Sequence, residues 1–497
     1  MKLKSIILLT VSAFALNGCT KDFVKINTNP NESAKVAPQG LLGPTIYKTL
    51  VANLNRNMRV NNELMQVTVT TNDNLEFHRY EVRATETEYM WSNWYVQLTN
   101  IRDIYKRAGE AQQSGYKIYQ GISKVLDVWV SSLITDMYGD VPYFDSNLGY
   151  HELNTTPKFD RQIDIYRDLF LKLEQANQLL TLPSAVTASD LIPEAQHAMD
   201  PIYSADALKW RKFANSLYLR LLLRVSHKPE LSATLKIKEI LETNSSEYPI
   251  MQSHDDSAIL YFSGQEPYIN PYLNSRPIDF NGNKGYADYF IDNLQRETQD
   301  QPNDPRLAIW ATQPTLGVYA GMISGYQRGR VPEIQSTYHP SFQSHKNLGN
   351  IMNYAELQFI KAECMLRQFV SGDAKKAYEE GVTSAINLWG VNVPTGFFGL
   401  PRIGFLETDS NTDLLKKVHL QKYYALLFTD FQQWYEYRRT GLLDLYVGPG
   451  LQNNGKMPVR MPYPLITQAV NKANFDEAVA RMGGNTPNTL MWWQPTN

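Results

Sequence analysis

Cysteine is nearly absent from this sequence. Its 497 residues contain two cysteines, Cys19 and Cys364. Cys19 lies in what the pattern indicates is an export segment, so Cys364 has no partner and no internal disulfide is possible. The neighbouring residues Ala362 and Leu366 favour a small buried hydrophobic role for Cys364. A chain of this size can be stable on its hydrophobic core alone.

An excess of charge of one sign is also lacking. The 48 basic and 50 acidic side chains give a formal net charge of −2. No basic run is long enough to indicate binding to nucleic acid, and there is no acidic tail. A hydrophobic content of 43% with 20% charged residues is typical of a globular chain.

Long hydrophobic runs are missing beyond residue 18. The best of them, residues 221–223, is bracketed by Arg220 and Arg224 and is far too short to span a bilayer. We therefore expect any attachment to a membrane to come from a lipid.

Recognisable catalytic motifs are absent too. There is no glycine-rich phosphate loop, no nucleophile elbow and no His-Glu-x-x-His; His151-Glu152 lacks the second histidine that would close a zinc site. Asp255-Asp256 is an acidic pair in a predicted loop, where such residues are usually solvated. These absences lower the expectation of an enzyme, and the sequence predicts neither a metal nor a cofactor.

The N-terminus has the three parts of an export signal. Lys2 and Lys4 precede the apolar residues 5–16, which lead to the run Leu16-Asn17-Gly18-Cys19. This run resembles the bacterial lipobox, so residues 1–18 are predicted to be a lipoprotein signal peptide. Cys19 would become the acylated first residue. The alternative is an ordinary secreted protein in which the cysteine falls there by chance.

Helical periodicity dominates the mature chain. One apolar stripe runs through Ile118, Ile122, Val125, Trp129 and Leu133, a second through Trp210, Ala214, Leu217, Leu221 and Val225, and a third through Leu420, Tyr424, Leu427, Phe431 and Trp434. Arg438, Arg439 and Gly441 follow the third stripe as an expected helix end. Further helices are predicted near 39–58, 87–113, 160–182, 354–370, 373–389 and 465–482. Their adjacent pairs suggest stacked helical hairpins, although no strict tetratricopeptide period is visible.

Long irregular stretches rich in Pro, Gly, Asn and Tyr separate the helices. The main ones are residues 139–160, 245–286, 312–350, 390–411 and 447–464. Ordered loops of this length in a compact domain are usually functional. The sequence thus predicts a mostly α fold, a helical-hairpin scaffold with long loops and few short strands.

Several segments together resemble one known family. They are residues 22–31 with Asn-Thr-Asn-Pro-Asn, 135–143 ending in Gly-Asp-Val-Pro-Tyr, 209–217 continuing to Arg224, 354–363, 434–441, 460–464 and the pair Trp492-Trp493. In this order they are similar to the SusD/RagB-type nutrient-binding outer-membrane lipoproteins of Bacteroidetes-like bacteria, in the SusD-like subgroup. The segments are mostly architectural and none of them reports a substrate.

The resemblance implies both a fold and a role. It implies one domain over residues 19–497, with tetratricopeptide-like hairpins on one side and loop-rich, ligand-facing insertions near 245–350 and 390–464. The role would be capture of an oligosaccharide, or a peptide in some members, at the outer face of the outer membrane. The ligand would pass to a partner SusC-like TonB-dependent barrel, without catalysis.

Two irregular regions supply candidate ligand-contacting residues. Aromatic faces stack on sugar rings while polar side chains orient the ligand, so aromatic and polar residues in irregular, Pro- and Asn-rich surroundings are the expected contacts. The candidates are Tyr80, Arg83, Trp91, Tyr268, Asn270, Tyr272 and Arg276. For each of them the alternative is that it pins a loop to the scaffold.

Two other functions compete with glycan capture. A lipid-anchored glycoside hydrolase or lyase would need a pair of carboxylates in an aromatic groove. A peptide-binding protein would have a groove lined by Asn, Arg and carboxylates in place of Trp and Tyr faces. The aromatic loops favour a glycan.

Overall fold

Long amphipathic helices form the frame of the structure, a computed structural model that describes residues 36–74, 76–111, 113–149 and 153–495. They are α1 (Pro38–Arg56), α2 (Glu88–Glu110), α3 (Lys117–Tyr138), α4 (Gln162–Leu179), α5 (Ala207–Arg224), α6 (Tyr354–Leu366), α7 (Ala374–Asn387), α8 (Asn411–Ala425), α9 (Gln432–Thr440) and α10 (Lys472–Met482). Residues 1–35, which include the predicted signal peptide and Cys19, lie outside the described residues. From Pro38 onward the chain is one compact unit.

Helices α3 and α5 follow the predicted apolar stripes. Every residue of both stripes is buried. Helix α3 ends at Gly139, which has a φ of +89°. This backbone conformation requires glycine, and a Cβ there would also displace the flexible end of Met482, whose Cε would lie 2.4 Å away.

Side-chain caps fix where several helices begin. The carboxylate of Asp206 accepts from the backbone N–H of Lys209 at 3.0 Å, and Asn353 accepts from Glu356 at 2.9 Å. Ser410 forms a capping box with Asp413 at the start of α8. Each cap satisfies a backbone donor that the first helical turn leaves unpaired.

Helices that are neighbours in sequence pack against each other. Helix α2 lies between α1 and α3, α3 also contacts α4, and α4 contacts α5. In the C-terminal half α6 packs against both α7 and α8. The predicted mostly α fold with a tetratricopeptide-like hairpin scaffold is confirmed.

Shorter elements lie in the connections. The short α-helices are Asn62–Leu64, Ala233–Lys238, Pro277–Asn281, Asp288–Asp292, Leu307–Trp310 and Leu465–Val470, and Asn57–Asn61 and Glu239–Thr243 are π-helical. Strand β1 (Thr68–Thr70) pairs antiparallel with β3 (Lys284–Tyr286), with Val69 opposite Gly285, and β2 (Ala258–Leu260) pairs antiparallel with β4 (Gly349–Met352). None of the helices in the described ranges combines the length and the hydropathy that a membrane span needs.

The third predicted stripe is not one helix, and that prediction was wrong. A turn separates α8 from α9, with positive φ at Phe428 (+61°) and Asp430 (+46°). The carboxylate of Asp430 accepts from Trp129 Nε1 at 2.8 Å and from Asn53 Nδ2 at 2.6 Å. These tertiary hydrogen bonds hold the turn where the apolar spacing alone favours a continuous helix.

The last predicted helix is also interrupted. Residues 465–482 form two helices, Leu465–Val470 and α10, separated by Asn471 at a φ of −140°. Its Nδ2 donates to the carbonyl of Pro157 at 2.7 Å, which ties the break to the loop before α4.

Candidate functional site

Trp91 and Tyr272, two of the predicted ligand-contacting residues, are buried. The Trp91 ring packs edge-on against Tyr138, with centroids 5.1 Å apart, in the hydrophobic core. The Tyr272 hydroxyl donates to the carbonyl of Leu54 on α1 at 2.7 Å. Both side chains thus hold α1 and α2 to the rest of the chain.

Asn270 and Tyr80 are buried as well. The Asn270 amide donates to the carbonyls of Phe342 (2.9 Å) and His345 (3.1 Å), which joins two loops. Tyr80 has a φ of +64°, and burial raises the pKa of its hydroxyl to about 12. The geometry of these four residues favours support of the loops from beneath over direct contact with a ligand.

The other three predicted residues reach the solvent. Arg83 is half exposed and lies 2.7 Å from Glu76, and Arg276, 77% exposed, pairs with Asp279 at 2.6 Å. Tyr268 is half-buried against Tyr47, with ring centroids 5.7 Å apart. The guanidinium groups of Arg83 and Arg276 and part of the Tyr268 ring are therefore accessible to a ligand.

Backbone hydrogen bonds bring three distant loops together around the first candidate region. The N–H of Gln452 donates to the carbonyl of Arg79, and the N–H of Gly450 donates to that of Gly325, both at 2.7 Å. A Cβ on Gly450 would lie 2.3 Å from the carbonyl oxygen of Tyr326, so the close approach requires glycine. We call the surface of residues 70–74, 76–83, 322–334 and 446–456 the loop face.

Charged side chains dominate the rim of the loop face. Nη2 of Arg328 lies 3.3 Å from Glu76 and 3.4 Å from Glu81, and Arg83 pairs with Glu76 on its other side. Below them the buried Arg79 contacts Asp73 at 3.0 Å. The rim thus alternates guanidinium donors with carboxylate acceptors, an arrangement that can hydrogen-bond a polar ligand along its length.

Asp73 ties the rim to the neighbouring loop. Its Oδ2 accepts from the backbone N–H of Gly329 at 2.8 Å. This hydrogen bond, together with Arg79, lowers the pKa of the Asp73 carboxyl. A carboxylate in this environment is suited to accepting hydrogen bonds and unsuited to a general acid, which needs a raised pKa.

Most aromatic rings of the loop face lie under the rim. Tyr326 is buried, stacks on His78 with centroids 4.6 Å apart, and donates its hydroxyl to the carbonyl of Thr70. The exposed apolar side chains include the aliphatic Ile323, Val331 and Val447 and the aromatic Tyr446. The loop face thus presents charged, amide and aliphatic groups with one exposed tyrosine at its edge.

Glu63 is buried next to the loop face in the short helix Asn62–Leu64. Burial raises the pKa of its carboxyl to about 7, although Arg59, the His78 backbone N–H and Lys284 oppose the shift. Glu63 therefore changes charge near neutral pH while remaining inside the protein.

We expect Glu63→Gln to flatten the dependence of stability on pH. As pH rises from 4.5 to about 7, the folded protein holds a proton at Glu63 that the unfolded chain has released, so stability falls. At pH above 7 the penalty is about 3 kcal/mol, since each pKa unit corresponds to about 1.4 kcal/mol. The variant lacks this loss.

Urea unfolding of wild type and variant at about pH 5 and about pH 8 measures the difference. Burial also raises the pKa of Asp430 to about 6. Asp430 therefore contributes a similar change of stability with pH in both proteins, and its contribution cancels when they are compared. Glu88→Gln, at an exposed position, is the control and should keep the wild-type difference in stability between the two pH values. If Glu63→Gln also kept that difference, the raised pKa of Glu63 would be contradicted.

A second group of buried side chains alternates in charge, and we call it the ionic cluster: Asp136, Arg224, Glu363, Lys422, Glu436 and Arg439. Arg439 makes two contacts of 2.7 Å to the Glu363 carboxylate and one of 2.7 Å to Glu436. Lys422 and Arg224 reach Glu436 at 2.7 and 3.3 Å. The cluster joins α3, α5, α6, α8 and α9.

The ionic cluster contains the one group of possible metal ligands found in the described part of the chain. Ligand atoms of Glu363, His419 and Glu436 lie within 4.8 Å of one another. Burial would raise the pKa of Glu363, but the Arg439 guanidinium outweighs it and holds that pKa well below its usual value. Because Arg439 and Lys422 already occupy the carboxylates, the chemistry fits a salt-bridge cluster and not a cation site.

Sequence reasoning missed Arg328 and Asp73. Both lie in loops without periodicity, and their neighbours in space are about 250 positions away along the chain, as for Gly329 and Asp73. The only sequence signal was the run Gln327-Arg-Gly-Arg330, which concentrates charge and a turn residue in a predicted loop.

Comparison with known families decides the relationship. The model of a SusD-like family, described as "Starch-binding associating with outer membrane", matches residues 30–464. This chain belongs to the SusD-like family. The resemblance inferred from the sequence motifs is confirmed. A search of curated proteins returns no match.

Solved structures of SusD-like proteins share the fold. A chitin-binding SusD homologue from Flavobacterium johnsoniae is 19% identical, with a TM-score of 0.77 over 93% of this chain and 99% of that one. A chitin-binding protein is 24% identical, with a TM-score of 0.74 over 92% and 100%. A SusD homologue from Bacteroides fragilis is 21% identical, with a TM-score of 0.74 over 93% and 100%. At these identities the likeness shows the fold.

Proposed function

We propose that this SusD-like protein captures an oligosaccharide at the loop face and delivers it unaltered to a TonB-dependent barrel of the SusC type. In this proposal acyl chains on Cys19 hold the protein at the outer face of the outer membrane. Two or more chains are needed for stable anchoring, at about 0.8 kcal/mol per buried methylene. The family description supports the location and the ligand class, and the chitin-binding neighbours support an oligomer of N-acetylglucosamine as the first ligand to test.

The observation that carries the proposal is the loop face itself. Three loops separated in sequence meet there through backbone hydrogen bonds and expose Arg83 and Arg328 beside carboxylates. Guanidinium donors bind sugar hydroxyls and acetamide carbonyls, and carboxylates accept from the hydroxyls. Tyr268 and Arg276, in the second region, are proposed to extend the contact.

Peptide binding is a second candidate, and a specific observation favours it. The exposed groups of the rim are mostly guanidinium, carboxylate and amide groups; Tyr326 and Tyr80 are covered, and Tyr446 is exposed at the edge. Such a surface also suits a peptide of mixed charge. Calorimetric titration with chitin oligosaccharides, malto-oligosaccharides and mixed-charge peptides separates the two candidates: saturable heat with a glycan alone supports glycan capture, and heat with peptides alone supports the alternative.

We expect Arg328→Ala to weaken oligosaccharide binding at least tenfold, which corresponds to about 1.4 kcal/mol. Its side chain is largely exposed and its ion pairs lie at the rim, so the free energy of unfolding should change by about 0.5 kcal/mol or less. Arg296→Ala removes another exposed arginine, one outside the loop face, and should leave the affinity unchanged. If Arg328→Ala bound the oligosaccharide as tightly as the wild type, the rim of the loop face would not be part of the binding site.

A further inference from the structure

A groove crosses the helical scaffold outside the loop face. It lies between the π-helical segment Glu239–Thr243, with the turn after it, and the turn that joins α6 to α7. Two adjoining cavities of about 290 and 300 Å³ form it. Both are lined by Glu242, Met365, Val370 and Ser371, so they are parts of one groove.

The lining of the groove alternates apolar and hydroxyl-bearing residues. Ile240 and Val370 are buried and Ile250 is half-buried, which gives an apolar floor. The exposed Ser245 and Ser371 are at the same cavity. Such a mixture matches a small molecule with an apolar face and a polar edge, and the volume lies at the lower end of the range for small-ligand sites.

Lys361 lines this groove without a charged partner. It is half-buried, and within the described ranges no carboxylate lies within 4.0 Å of its ammonium group and no hydrogen bond satisfies it. Burial lowers the pKa of the ammonium, with Glu380 and Lys376 as the nearest charges. The Glu380 carboxylate accepts from the hydroxyl of Tyr354, so it is already engaged.

The other half-buried lysines of the described residues each have a partner within the chain. The ammonium groups of Lys172, Lys212, Lys236 and Lys417 lie 3.0, 2.9, 2.7 and 2.6 Å from a carboxylate. Without a carboxylate, Lys209, Lys228 and Lys284 donate to backbone carbonyls, and Lys124 lies over the Tyr105 ring. Leaving a partly desolvated cation with none of these partners costs stability, so Lys361 points to a partner from outside the chain.

The acidic group of the groove does not fill this role. Glu242 accepts from the backbone N–H of Ser371 and lies 4.0 Å from Lys238 at the mouth. The hydroxyl of Tyr248 donates to Glu174 and accepts from Lys236. Among the charged side chains that line the groove, Lys361 is therefore the one without a partner in the described residues.

We propose that this groove binds a small hydroxylated organic carboxylate of the acidic-monosaccharide class, with Lys361 as the counter-ion. The carboxylate restores the missing charge partner, ring C–H groups lie on the apolar floor, and ring hydroxyls meet Ser245 and Ser371. The site is separate from the loop face and does not depend on the function proposed for it.

The test uses the complete folded protein and D-glucuronate as the probe, with D-glucose as the neutral match. Titration calorimetry should show saturable glucuronate binding and an affinity for glucose at least tenfold lower. Lys361→Met should weaken glucuronate binding at least tenfold. Lys375→Met, an exposed lysine on α7 that does not line the groove, should leave it unchanged.

A second variant guards against a folding artefact. Ser371→Trp fills the groove from an exposed turn and should also abolish glucuronate binding, while the unfolding transition stays like that of the wild type. The proposal is overturned if glucuronate gives no saturable heat, if glucose binds equally well, or if the Lys361→Met and Ser371→Trp variants retain wild-type affinity. Chitin-oligosaccharide binding at the loop face, measured on the same variants, should not change.

Discussion

Arg439→Met should destabilise the protein by about 3–5 kcal/mol, because it removes one partner from a buried salt bridge. Arg439 is the centre of the ionic cluster, with three contacts of 2.7 Å to Glu363 and Glu436. Without it the fully buried Glu363 carboxylate loses its two-point partner and keeps Arg367 at 2.7 Å. Chemical denaturation of wild type and variant measures the loss.

The reason for the loss can be checked with a double variant. If the cost comes from an unpaired buried charge, adding Glu363→Gln to Arg439→Met should recover part of the lost stability. Lys472→Met is the matched control, since its pair with Asp476 is largely exposed and should matter by about 0.5 kcal/mol or less. If Lys472→Met lowered the free energy of unfolding as much as Arg439→Met does, burial would not explain the cost of losing Arg439.

Trp210→Ala should also cost about 3–5 kcal/mol of stability and leave ligand affinity unchanged. Trp210 is fully buried on α5, packs edge-on against Tyr203, and donates its Nε1–H to Asp200 at 2.7 Å. Truncation leaves a cavity and removes one donor from the buried Asp200 carboxylate, which keeps the backbone N–H groups of Ile202 and Ala205. Thermal melting and ligand titration on the same protein measure the two effects.

The conservative variant Trp210→Phe separates packing from hydrogen bonding. It keeps most of the ring volume and loses the donor to Asp200, so a loss of about 1–3 kcal/mol is expected. If Trp210→Ala melted like the wild type but failed to bind ligand, Trp210 would belong to the binding site and the assignment of α5 to the scaffold would be wrong.

The helices could be predicted because each is specified locally. The stripe through Ile118 and Trp129 predicts α3, and Gly139 marks its end. The same reasoning failed between α8 and α9 because the break at Asp430 depends on Trp129 and Asn53, which are 301 and 377 positions away. Apolar spacing carries no information about such distant hydrogen bonds.

The candidate site was less predictable for the same reason. Sequence reasoning chose aromatic residues in polar surroundings, and the structure buries Tyr80 and Tyr272 beneath the loops. The exposed rim is built by Arg83 and Arg328 on loops that meet only through tertiary hydrogen bonds. A tyrosine's polar surroundings in sequence do not reveal whether its ring faces solvent or the scaffold.

The most direct test of the account is to analyse the oligosaccharide recovered from its complex with the protein. Purified protein is saturated with a chitin oligosaccharide of one chain length, incubated for a long period, separated from free sugar and denatured, and the released sugar is measured by mass spectrometry. The account predicts a stoichiometric amount of sugar with its original chain length. Recovery of no sugar, or of shorter chains whose formation stops on substitution of a single Asp or Glu, would contradict capture without catalysis.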